Sequence, residues 1–569
     1  MVEHDLAKVE TGVRFSYAAQ KIRYIRNARR GFGASARIRT QNNGSEDRCD
    51  IHFTTEASKL LIYKAILTYK MLQIQAPIPK EIKMVVAVLQ NAGYEAFLVG
   101  GCVLDLIMGN TPNDWDITTN ATPEQIISLF PKTFYENTYG TVGVVTCGEE
   151  LGIPCVDESL KVVEVTPYRL EGEYSDNRHP DTVKWSQNIE DDLKRRDFTC
   201  NAIAYNPVTG EVVDPHDGQK DIENKAIRAV GNPDTRFQED ALRLMRAIRF
   251  LSKLDFDLDT VTRESIEKNA DLLKNISMER IRDEFEKLIM SDFPMRGLIL
   301  MHETGLLQYV VPELEKGIGV EQNQAHRFDV WEHNLRTLQH AADRKWPLHV
   351  RLSAIFHDIS KPETRRFSKE KRDFTFYGHD VVGGRVTREI MERMKFPKDL
   401  VEKVSMFVRW HMFFSDTEQI TLSAVRRLIT NVGKENIWDL IDLRICDRIG
   451  TGRPKEEPYR LRMYESMVEQ ALKDPISLKM LKTDGKRIMS VTRETPGPKI
   501  GFVLHALFDE VLENPEKNNE EYLDNRAKEL MKLSVEELKM LGTAGKKEME
   551  EKNKEMVKEI RKQFRVKGE

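Results

Sequence analysis

From residue 79 onwards, short apolar runs alternate with segments of helical periodicity. In the segment 81–91, Ile82, Val85, Val86 and Leu89 recur on one face of a helix. Three apolar runs bounded by turn residues then have the character of strands, at 95–99, 143–146 and 162–166. Strands and helices mixed in this way predict an α+β head built on a small mixed sheet.

The second half of the chain has a different pattern. From Asp240 to the C-terminus the strand-like runs stop, and long charged segments of helical periodicity take their place. Breaks in this pattern fall at 312–324, 451–458 and 495–501. The sequence therefore predicts a multi-domain protein in which the head is followed by an all-α neck, a body, a further helical domain and a tail.

Composition places the chain among globular proteins. At roughly 150 residues per domain, its 569 residues correspond to about four units. The formal net charge is −4, so any contact with nucleic acid must come from local basic patches. No apolar run approaches the ~20 residues that span a bilayer, so we expect no membrane association and a cytoplasmic location.

The six cysteines form no CxxC pair and have no regular spacing. We therefore predict reduced thiols and no zinc ribbon. The stretch 148–160 lies between the last two predicted strands and resembles a surface insertion.

The N-terminal extension, 1–76, is predicted to be a disordered or mis-assigned leader. Its segment 12–41 has eight Lys or Arg and no Asp or Glu, which is also typical of a transit peptide or a nucleic-acid-binding arm. Glu3, Asp5 and Glu10 argue against a transit peptide, because such leaders are poor in acidic residues.

The first candidate chemistry follows the strand at 95–99. Gly100 and Gly101 would let a backbone turn approach a ligand closely. Asp114 and Asp116 follow at i and i+2, so on a strand both carboxylates face the same side. Such a pair suits a hard divalent cation, which also takes substrate phosphates as ligands. An Asx-rich turn that caps local backbone is the alternative.

Two arginine-rich segments lie further along the chain. The first contains Arg195-Arg196-Asp197. In the second, Asp240, Arg243, Arg246 and Arg249 recur every three residues, which on a helix forms one slowly drifting stripe. The stripe could serve an anionic ligand and a base edge together, or it could be a solvated charged face.

Taken together, these segments resemble the class II RNA nucleotidyltransferases, the family of bacterial CCA-adding enzymes and poly(A) polymerases. The match runs in the family's order from about residue 78 to residue 250. The matching segments are Leu98-Val99-Gly100-Gly101, Asp114-Trp115-Asp116, Arg195-Arg196-Asp197-Phe198-Thr199 and Glu239-Asp240-Ala241-Leu242-Arg243. A looser likeness to the family's tRNA-holding tail occurs at 496–501.

The resemblance implies a role for each matched residue. Asp114 and Asp116 would hold catalytic Mg²⁺, and Asp197 would be a further catalytic residue near the ribose or the metals. Asp240 and Arg243 would read the base edge, because ionised Asp only accepts and Arg only donates hydrogen bonds. The implied nucleotide-binding residues are Gly100, Gly101, Arg196, Asp240, Arg243, Arg246 and Arg249.

Leu104 departs from the family pattern, which normally has arginine at this position facing the triphosphate. The departure has two explanations. The chain lacks one phosphate contact, so that Leu104→Arg would raise kcat/KM for both CTP and ATP. Alternatively, the helix has repacked around an apolar residue, so that arginine would be buried and disruptive.

A second set of candidate ligands lies in the helical half, in the order His333, His357-Asp358, His379, His411 and Asp447. The first His, the His-Asp pair and the final Asp resemble the HD phosphohydrolase superfamily. The other two histidines stand where a second metal would need ligands. The resemblance implies a divalent metal (Mg²⁺, Mn²⁺, Ni²⁺ or Co²⁺) and a phosphatase or 2′,3′-cyclic phosphodiesterase activity. A folded but catalytically silent HD domain is the alternative.

The expected function is CCA addition to tRNA from CTP and ATP. Three alternatives remain. The same head could add poly(A) or only the final A, the chain could be an HD phosphohydrolase whose head only binds RNA, or it could be a tRNA-binding protein with both sites silent. The oligomeric state is left open. The predicted domains are the head (77–220), the helical neck and body (221–320), the HD domain (321–460) and the C-terminal tRNA-binding body and tail (461–569).

Overall fold

The structure is a computed structural model that describes residues 36–40, 49–53, 77–135, 140–148, 151–155, 157–172, 182–323, 326–413, 420–474, 477–534 and 537–538. Its strands are β1 (Ala36–Thr40), β2 (Cys49–Phe53), β3 (Ala96–Val99), β4 (Asp116–Thr119), β5 (Thr133–Tyr135), β6 (Val142–Val145), β7 (Val162–Pro167), β8 (Arg169–Glu171), β9 (Val183–Trp185), β10 (Ala204–Tyr205), β11 (Val212–Val213), β12 (Ala226–Ile227), β13 (Asp257–Leu258), β14 (Arg366–Ser368) and β15 (Asp373–Thr375).

The helices of the head and neck are α1 (Lys80–Asn91), α2 (Gly101–Ile107), α3 (Pro123–Leu129), α4 (Ile189–Lys194), α5 (Gly218–Glu223), α6 (Pro233–Glu239), α7 (Leu242–Leu254), α8 (Thr260–Asn269), α9 (Met278–Ile289), α10 (Pro294–Glu303), α11 (Leu307–Val310) and α12 (Pro312–Glu315). The later helices are α13 (Val330–Asp343), α14 (Leu348–Phe356), α15 (Lys361–Thr364), α16 (His379–Arg393), α17 (Lys398–Trp410), α18 (Leu422–Val432), α19 (Ile437–Gly450), α20 (Tyr459–Ala471), α21 (Gly485–Thr492), α22 (Pro498–Glu513) and α23 (Glu520–Leu530).

The head is a seven-stranded mixed sheet in the order β11-β10-β3-β4-β7-β6-β5. Only the β4–β7 pair is parallel, and the other neighbouring strands in this sheet run antiparallel. Helix α1 covers the sheet with the four apolar residues that the sequence predicts, all of them fully buried. The predicted α+β head is therefore confirmed.

Some predicted boundaries were wrong. Strands do occur after Asp240: β13 pairs in parallel with β12, and β14 pairs with β15 in a hairpin inside the helical half. These strands have only two or three residues, too few for a recognisable alternation. The predicted break at 495–501 is also too long, because α22 begins at Pro498, a favourable first helical residue.

Helices make up nearly all of the later chain, as predicted. Helix α13 packs against α14 and α19, and α16 packs against α17, which together enclose the predicted histidines. One apolar core runs from α1 and the head sheet through α7 and α9 to α14 and α17, so the head, the neck and the first half of the helical bundle share a continuous interior. A separate apolar cluster holds α21, α22 and α23 together.

The prediction about the cysteines needs correction, and the prediction about the N-terminal extension lies largely outside the described residues. Cys147 and Cys155 form a disulfide that closes the insertion between β6 and β7, so the prediction of reduced thiols was wrong for this pair. Cys102, Cys200 and Cys446 are free and buried, as predicted. Of the N-terminal extension, the structure describes only β1 and β2, which pair antiparallel. None of the helices described is long and apolar enough to span a membrane.

Candidate active sites

The turn between β3 and α2 brings the first candidate residues together. Gly100 has a φ of 76°, a conformation that glycine adopts without strain. A Cβ at Gly100 would lie 3.2 Å from Nη1 of Arg196 and 3.4 Å from Oδ2 of Asp116. The turn is thus closely faced by one cation and one carboxylate, which the sequence places 80 residues apart.

Asp114 and Asp116 flank Trp115 at the start of β4. Both carboxylates are on the exposed side, whereas Trp115 is buried in the head core. Partial removal from water raises the pKa of the Asp116 carboxyl. The positive charge of Arg196 lowers this pKa, and the negative charge of Asp114 raises it. The paired carboxylates, open to solvent beside the glycine turn, have the oxygen donors that a divalent cation and a phosphate would require.

Asp192 fixes both arginines of the Arg195-Arg196 pair. Its two oxygens lie 2.7 Å from Nη2 of Arg195 and 3.1 Å from Nη2 of Arg196. Asp192 is fully buried, and although burial favours the neutral form, the two arginines keep the pKa of its carboxyl low. Asp192 was not predicted, although its i,i+3 and i,i+4 spacing to the two arginines just after α4 is a usable signal.

Asp197 lies beneath the arginine stripe. Its Oδ2 is 2.7 Å from Nη2 of Arg246, and its Oδ1 accepts a hydrogen bond from the backbone N–H of Phe198. Burial works to raise the pKa of Asp197, but the charges of Arg246 and Arg243 and these hydrogen bonds lower it to about 2. These contacts indicate an anchor for Arg246, and the predicted place of Asp197 near the ribose or the metals stays a prediction.

The predicted stripe is only partly helical. Arg243, Arg246 and Arg249 lie on α7, but Asp240 precedes this helix in an extended conformation at the end of α6. Arg243 is almost fully buried, and its Nη1 donates to Oε2 of Glu239 at 2.6 Å. The stripe is therefore not a solvated charged face, because its side chains are held by partners inside the protein.

Helix α9 supplies two of these partners. Nη2 of Arg280 lies 3.0 Å from Oδ2 of Asp240, and Oε2 of Glu284 lies 2.8 Å from Nε of Arg249. Arg280 and Glu284 are one helical turn apart, so a single face of α9 contacts both ends of the stripe. Neither residue was predicted, since nothing in a charged amphipathic helix identifies partners 35 or 40 residues away.

The second candidate site is a buried cluster centred on Asp358. His333 Nε2 lies 3.1 Å and His357 Nε2 3.2 Å from its Oδ2. His379 Nε2 lies 3.3 Å and His411 Nε2 3.6 Å from its Oδ1. The two oxygens of one carboxylate thus face two separate pairs of imidazoles.

The cluster divides into two groups whose donor atoms could each hold a metal ion. The first group is His333, His357 and Asp447, and the second is Asp358, His379 and His411. The structure brings together every histidine and aspartate that the sequence analysis assigned to this set.

The imidazoles are oriented as metal ligands. Nδ1 of His357, His379 and His411 each lies 2.7–2.9 Å from the carbonyl oxygen three residues earlier. An Nδ1–H that donates to a carbonyl leaves Nε2 as a lone-pair donor, an arrangement typical of metal-binding histidines. Nε2 of His357 then faces Nε2 of His333 at 2.9 Å, where the two nitrogen atoms either share a proton in a hydrogen bond or could both face one metal ion.

The electrostatics of the cluster also favour a cation. Although burial opposes it, hydrogen bonds and charges from Asp358 and Asp447 raise the pKa of His333 to about 9. The charges of His357 and Lys361 hold the pKa of Asp358 well below its usual range, again against the effect of burial. The ionised carboxylates thus stabilise positive charge in the cluster, and imidazoles that give up their protons to a metal would complete a donor set that suits divalent transition metals.

Comparison with known families bears on both sites. Residues 96–228 match the poly A polymerase head domain, residues 255–318 match the probable RNA and SrmB-binding site of polymerase A, and residues 330–450 match the HD domain. Together the three matches cover more than half of the chain. The chain carries a poly A polymerase head domain, its RNA-binding region and an HD domain. Heads and HD domains of these types typically use divalent metals, in agreement with the two donor sets.

Curated relatives share the name CCA-adding enzyme. The chain is 43% identical over 280 residues to the CCA-adding enzyme of Geobacillus thermodenitrificans (strain NG80-2), a match that covers 49% of this chain and 63% of the relative. It is 45% identical over 227 residues to that of Limosilactobacillus reuteri (strain DSM 20016), covering 40% of this chain and 53% of the relative. The matches thus span between about half and two thirds of the relatives' length.

Solved structures extend the likeness. The crystal structure of the Bacillus stearothermophilus CCA-adding enzyme in complex with CTP matches with a TM-score of 0.61 and 29% identity, over 80% of this chain and 97% of that one. An apo form of a CCA-adding enzyme matches with a TM-score of 0.53 and 19% identity, over 84% and 99%, which shows a common fold.

Leu104, on the second turn of α2, is 2% exposed and belongs to the apolar core of the head. It does not face the open side of the Gly100 turn, where a triphosphate could reach it. The structure therefore favours the second explanation of this departure from the family, in which α2 has packed around an apolar residue.

We expect Leu104→Arg to destabilise the head. A guanidinium at this position would be buried without a partner, which costs about 3 kcal/mol or more and lowers the melting temperature by several degrees. Leu104→Met, which conserves volume, should cost less than about 1.5 kcal/mol. Thermal unfolding of both variants measures the difference. A Leu104→Arg protein that melts normally and gains kcat/KM with CTP and ATP would instead support the missing phosphate contact.

Proposed function

We propose that this chain adds C, C and A to the 3′ ends of tRNA from CTP and ATP, without a nucleic-acid template. The observation that carries the proposal is the convergence of Asp116 and Arg196 on the Gly100 turn, beside the exposed Asp114. The relatives are named CCA-adding enzymes, and one similar structure contains CTP. We also retain the predicted division into head, neck and body, HD domain and tail, which the matched ranges support.

Different residues of the head would have different roles in nucleotidyl transfer. Asp114 and Asp116 would bind Mg²⁺, which when bound supplies positive charge beside the attacking 3′-hydroxyl and the leaving pyrophosphate. Gly100 and Gly101 leave room for the triphosphate to approach the backbone. Arg196, held by Asp192, directs its Nη1 towards the same space and would pair with a phosphate oxygen.

Base choice would depend on Asp240 and Arg243. A carboxylate has about four lone-pair positions, so Asp240 could accept from a base amino group while it keeps Arg280. Nη1 of Arg243 donates to Glu239 and to the carbonyl oxygen of Arg236, and Nη2 donates to the carbonyl oxygen of Arg195. Nε and the second N–H of Nη2 are the donors that could be directed at a base. The partners on α6 and α9 would fix both side chains, and a fixed pattern of donors and acceptors can select C and A without a template.

We expect Arg243→Ala to blur nucleotide selection. Removing the guanidinium deletes the donors to the base edge and leaves Glu239 with Arg236 alone, so kcat/KM for CTP and ATP should fall by about tenfold or more. Discrimination against UTP and GTP should fall as well. Arg263→Ala, an exposed arginine on α8, serves as the control. Unchanged discrimination in Arg243→Ala would contradict the assignment.

The extent of addition distinguishes CCA addition from its closest alternatives. Purified protein is incubated with Mg²⁺ and with tRNA that lacks its 3′ CCA or that ends in CC, and each labelled NTP is supplied in turn. A CCA-adding enzyme incorporates two C residues on the first substrate and one A on the second. Incorporation of A only on the CC end identifies an A-adding enzyme, and long A tails identify a poly(A) polymerase. No incorporation on either substrate would contradict the proposal.

We propose a second activity at the HD domain, the hydrolysis of phosphate esters including 2′,3′-cyclic phosphates. The observation that favours it is the pair of adjacent donor groups, because Asp358 of the second group also faces the two imidazoles of the first through Oδ2, which lies 2.5 Å from Lys361 Nζ. The metal would be Mg²⁺, Mn²⁺, Ni²⁺ or Co²⁺, which when bound provides an activated water. If none of these metals supports hydrolysis, the HD domain is structural.

A further inference from the structure

A cavity of about 670 Å³ opens in front of the histidine cluster, and its outer part contains side chains that hydrolysis does not use. One wall is the β14–β15 hairpin and the residues that follow it, including Lys371 and Tyr377. The other wall is the end of α19 with the loop to α20, including Arg448, Arg453 and Arg460. Asp358 and His411 lie at the inner end.

The inner cations of this cavity are already neutralised. Lys361 is paired with Asp358, and Arg444 is paired with Asp447. They therefore belong to the histidine cluster and to whatever phosphate reacts there.

The outer cations have no such partners. Arg453 and Arg460 are exposed, and neither forms an ion pair with any residue in the described part of the chain. Asp380, a carboxylate on the opposite wall, is engaged by Arg409. The mouth of the cavity thus has an excess of positive charge that an anion would relieve.

An aromatic ring stands at the same mouth. Tyr377 is 75% exposed, although its hydroxyl accepts a hydrogen bond from Lys371 Nζ at 2.9 Å. Phe374, its neighbour on the same wall, is by contrast covered by the guanidinium of Arg365, 3.6 Å from the ring centroid. Lys371 Nζ also lies 5.5 Å from the centroid of the Tyr377 ring, so a base would stack on the part of the ring that this cation leaves exposed. An exposed aromatic ring beside unpaired arginines is the combination with which proteins bind single-stranded nucleic acid.

We propose that the outer cavity binds the end of a ribonucleotide strand. The reacting terminal phosphate lies at the histidine cluster, the adjoining base stacks on Tyr377, and phosphates further along the strand pair with Arg453 and Arg460. A mononucleotide has no group for these two arginines, so the substrate class is an oligonucleotide. This inference rests on the proposed hydrolytic function of the HD domain for its reaction, but not for its binding.

The test uses the full-length protein and a ribotrinucleotide with a fluorescent 5′ label and a 2′,3′-cyclic phosphate. Binding is measured by fluorescence anisotropy in EDTA, which prevents metal-dependent hydrolysis. We expect the Arg453→Gln/Arg460→Gln variant to weaken binding about tenfold. It should also reduce the salt dependence, because each lost phosphate contact lowers the slope of log binding constant against log salt concentration by about 0.7.

Tyr377→Ala should weaken binding about 5- to 100-fold, and Tyr377→Phe should restore it. Lys398→Gln, an exposed cation of the same domain outside the cavity, should change nothing.

A hydrolysis assay tests strand binding in the outer cavity separately from the proposed hydrolytic activity of the HD domain. With metal present, the double arginine variant should raise KM for the trinucleotide about tenfold and leave kcat and KM for p-nitrophenyl phosphate unchanged. Equal effects on both substrates, or trinucleotide binding that is unchanged in the arginine and Tyr377→Ala variants, would overturn the inference. If wild-type protein hydrolyses nothing while the variants still lose trinucleotide binding, the hydrolytic function fails and the strand-binding cavity stands.

Discussion

Replacement of Asp116 by Asn is expected to reduce nucleotide incorporation at least about a thousandfold while tRNA binding survives. Asp116 faces the Gly100 turn together with Arg196, and its charge is one of two that would hold Mg²⁺ beside the triphosphate. Losing a metal ligand removes several kcal/mol of transition-state stabilisation, and each ~1.4 kcal/mol is a factor of ten in rate. Asp114→Asn should act in the same direction.

Single-turnover incorporation of CTP, filter binding of tRNA and a melting curve together test this prediction. Asp157→Asn is the matched control, because Asp157 is an exposed carboxylate of the head that caps a short 3-10 helix away from the turn. It should leave incorporation unchanged. Near-normal incorporation by Asp116→Asn with Mg²⁺ would show that the paired carboxylates are not the metal site.

The elements of the fold that were predictable are those with a local signal. Helix α1 combines four apolar residues at helical spacing, and all four are buried. Strands β6 and β7 lie within one residue of the predicted runs. The strands after Asp240 were missed because two- or three-residue strands depend on a distant partner rather than on their own pattern.

The active-site residues were predictable as members of a family pattern, but their contacts were not. The motifs identified Asp197, Arg246 and Asp240 individually. The pairing of Asp197 with Arg246 spans 49 residues, and that of Asp240 with Arg280 spans 40. The first pair joins the segment after α4 to α7, and the second joins the end of α6 to α9, so the spacing of charges along the chain does not reveal them. The same reason explains why the Cys147–Cys155 disulfide was missed: two cysteines eight residues apart are joined by the return of the chain between β6 and β7.

Leu104 shows where a family pattern alone misleads. The pattern suggested a lost phosphate contact, whereas burial in the head core indicates a packing role. When a motif residue is replaced, as the expected arginine is by Leu104, the burial and contacts of the replacing residue show whether it has a packing role.

Asp358→Asn is expected to eliminate hydrolysis of a 2′,3′-cyclic phosphate and to spare nucleotide addition. Asp358 faces both imidazole pairs, through Oδ2 to His333 and His357 and through Oδ1 to His379 and His411. Its loss should therefore reduce metal binding in both donor groups, whereas His411→Ala should affect only the second group. Metal content after dialysis, measured by mass spectrometry, provides a readout that does not depend on activity.

Folding must be separated from function in this variant, because Asp358 is fully buried and its removal leaves Lys361 without its carboxylate partner. Unchanged nucleotide addition and a separate melting curve provide that check. Asp380→Asn is the matched control, since Asp380 lines the same cavity but is paired with Arg409 and belongs to neither donor group. It should retain both metal and hydrolysis. If Asp358→Asn keeps its metal and its hydrolytic rate, the cluster is not the hydrolytic centre, because no other single side chain faces both imidazole pairs within the part of the cluster that the structure describes.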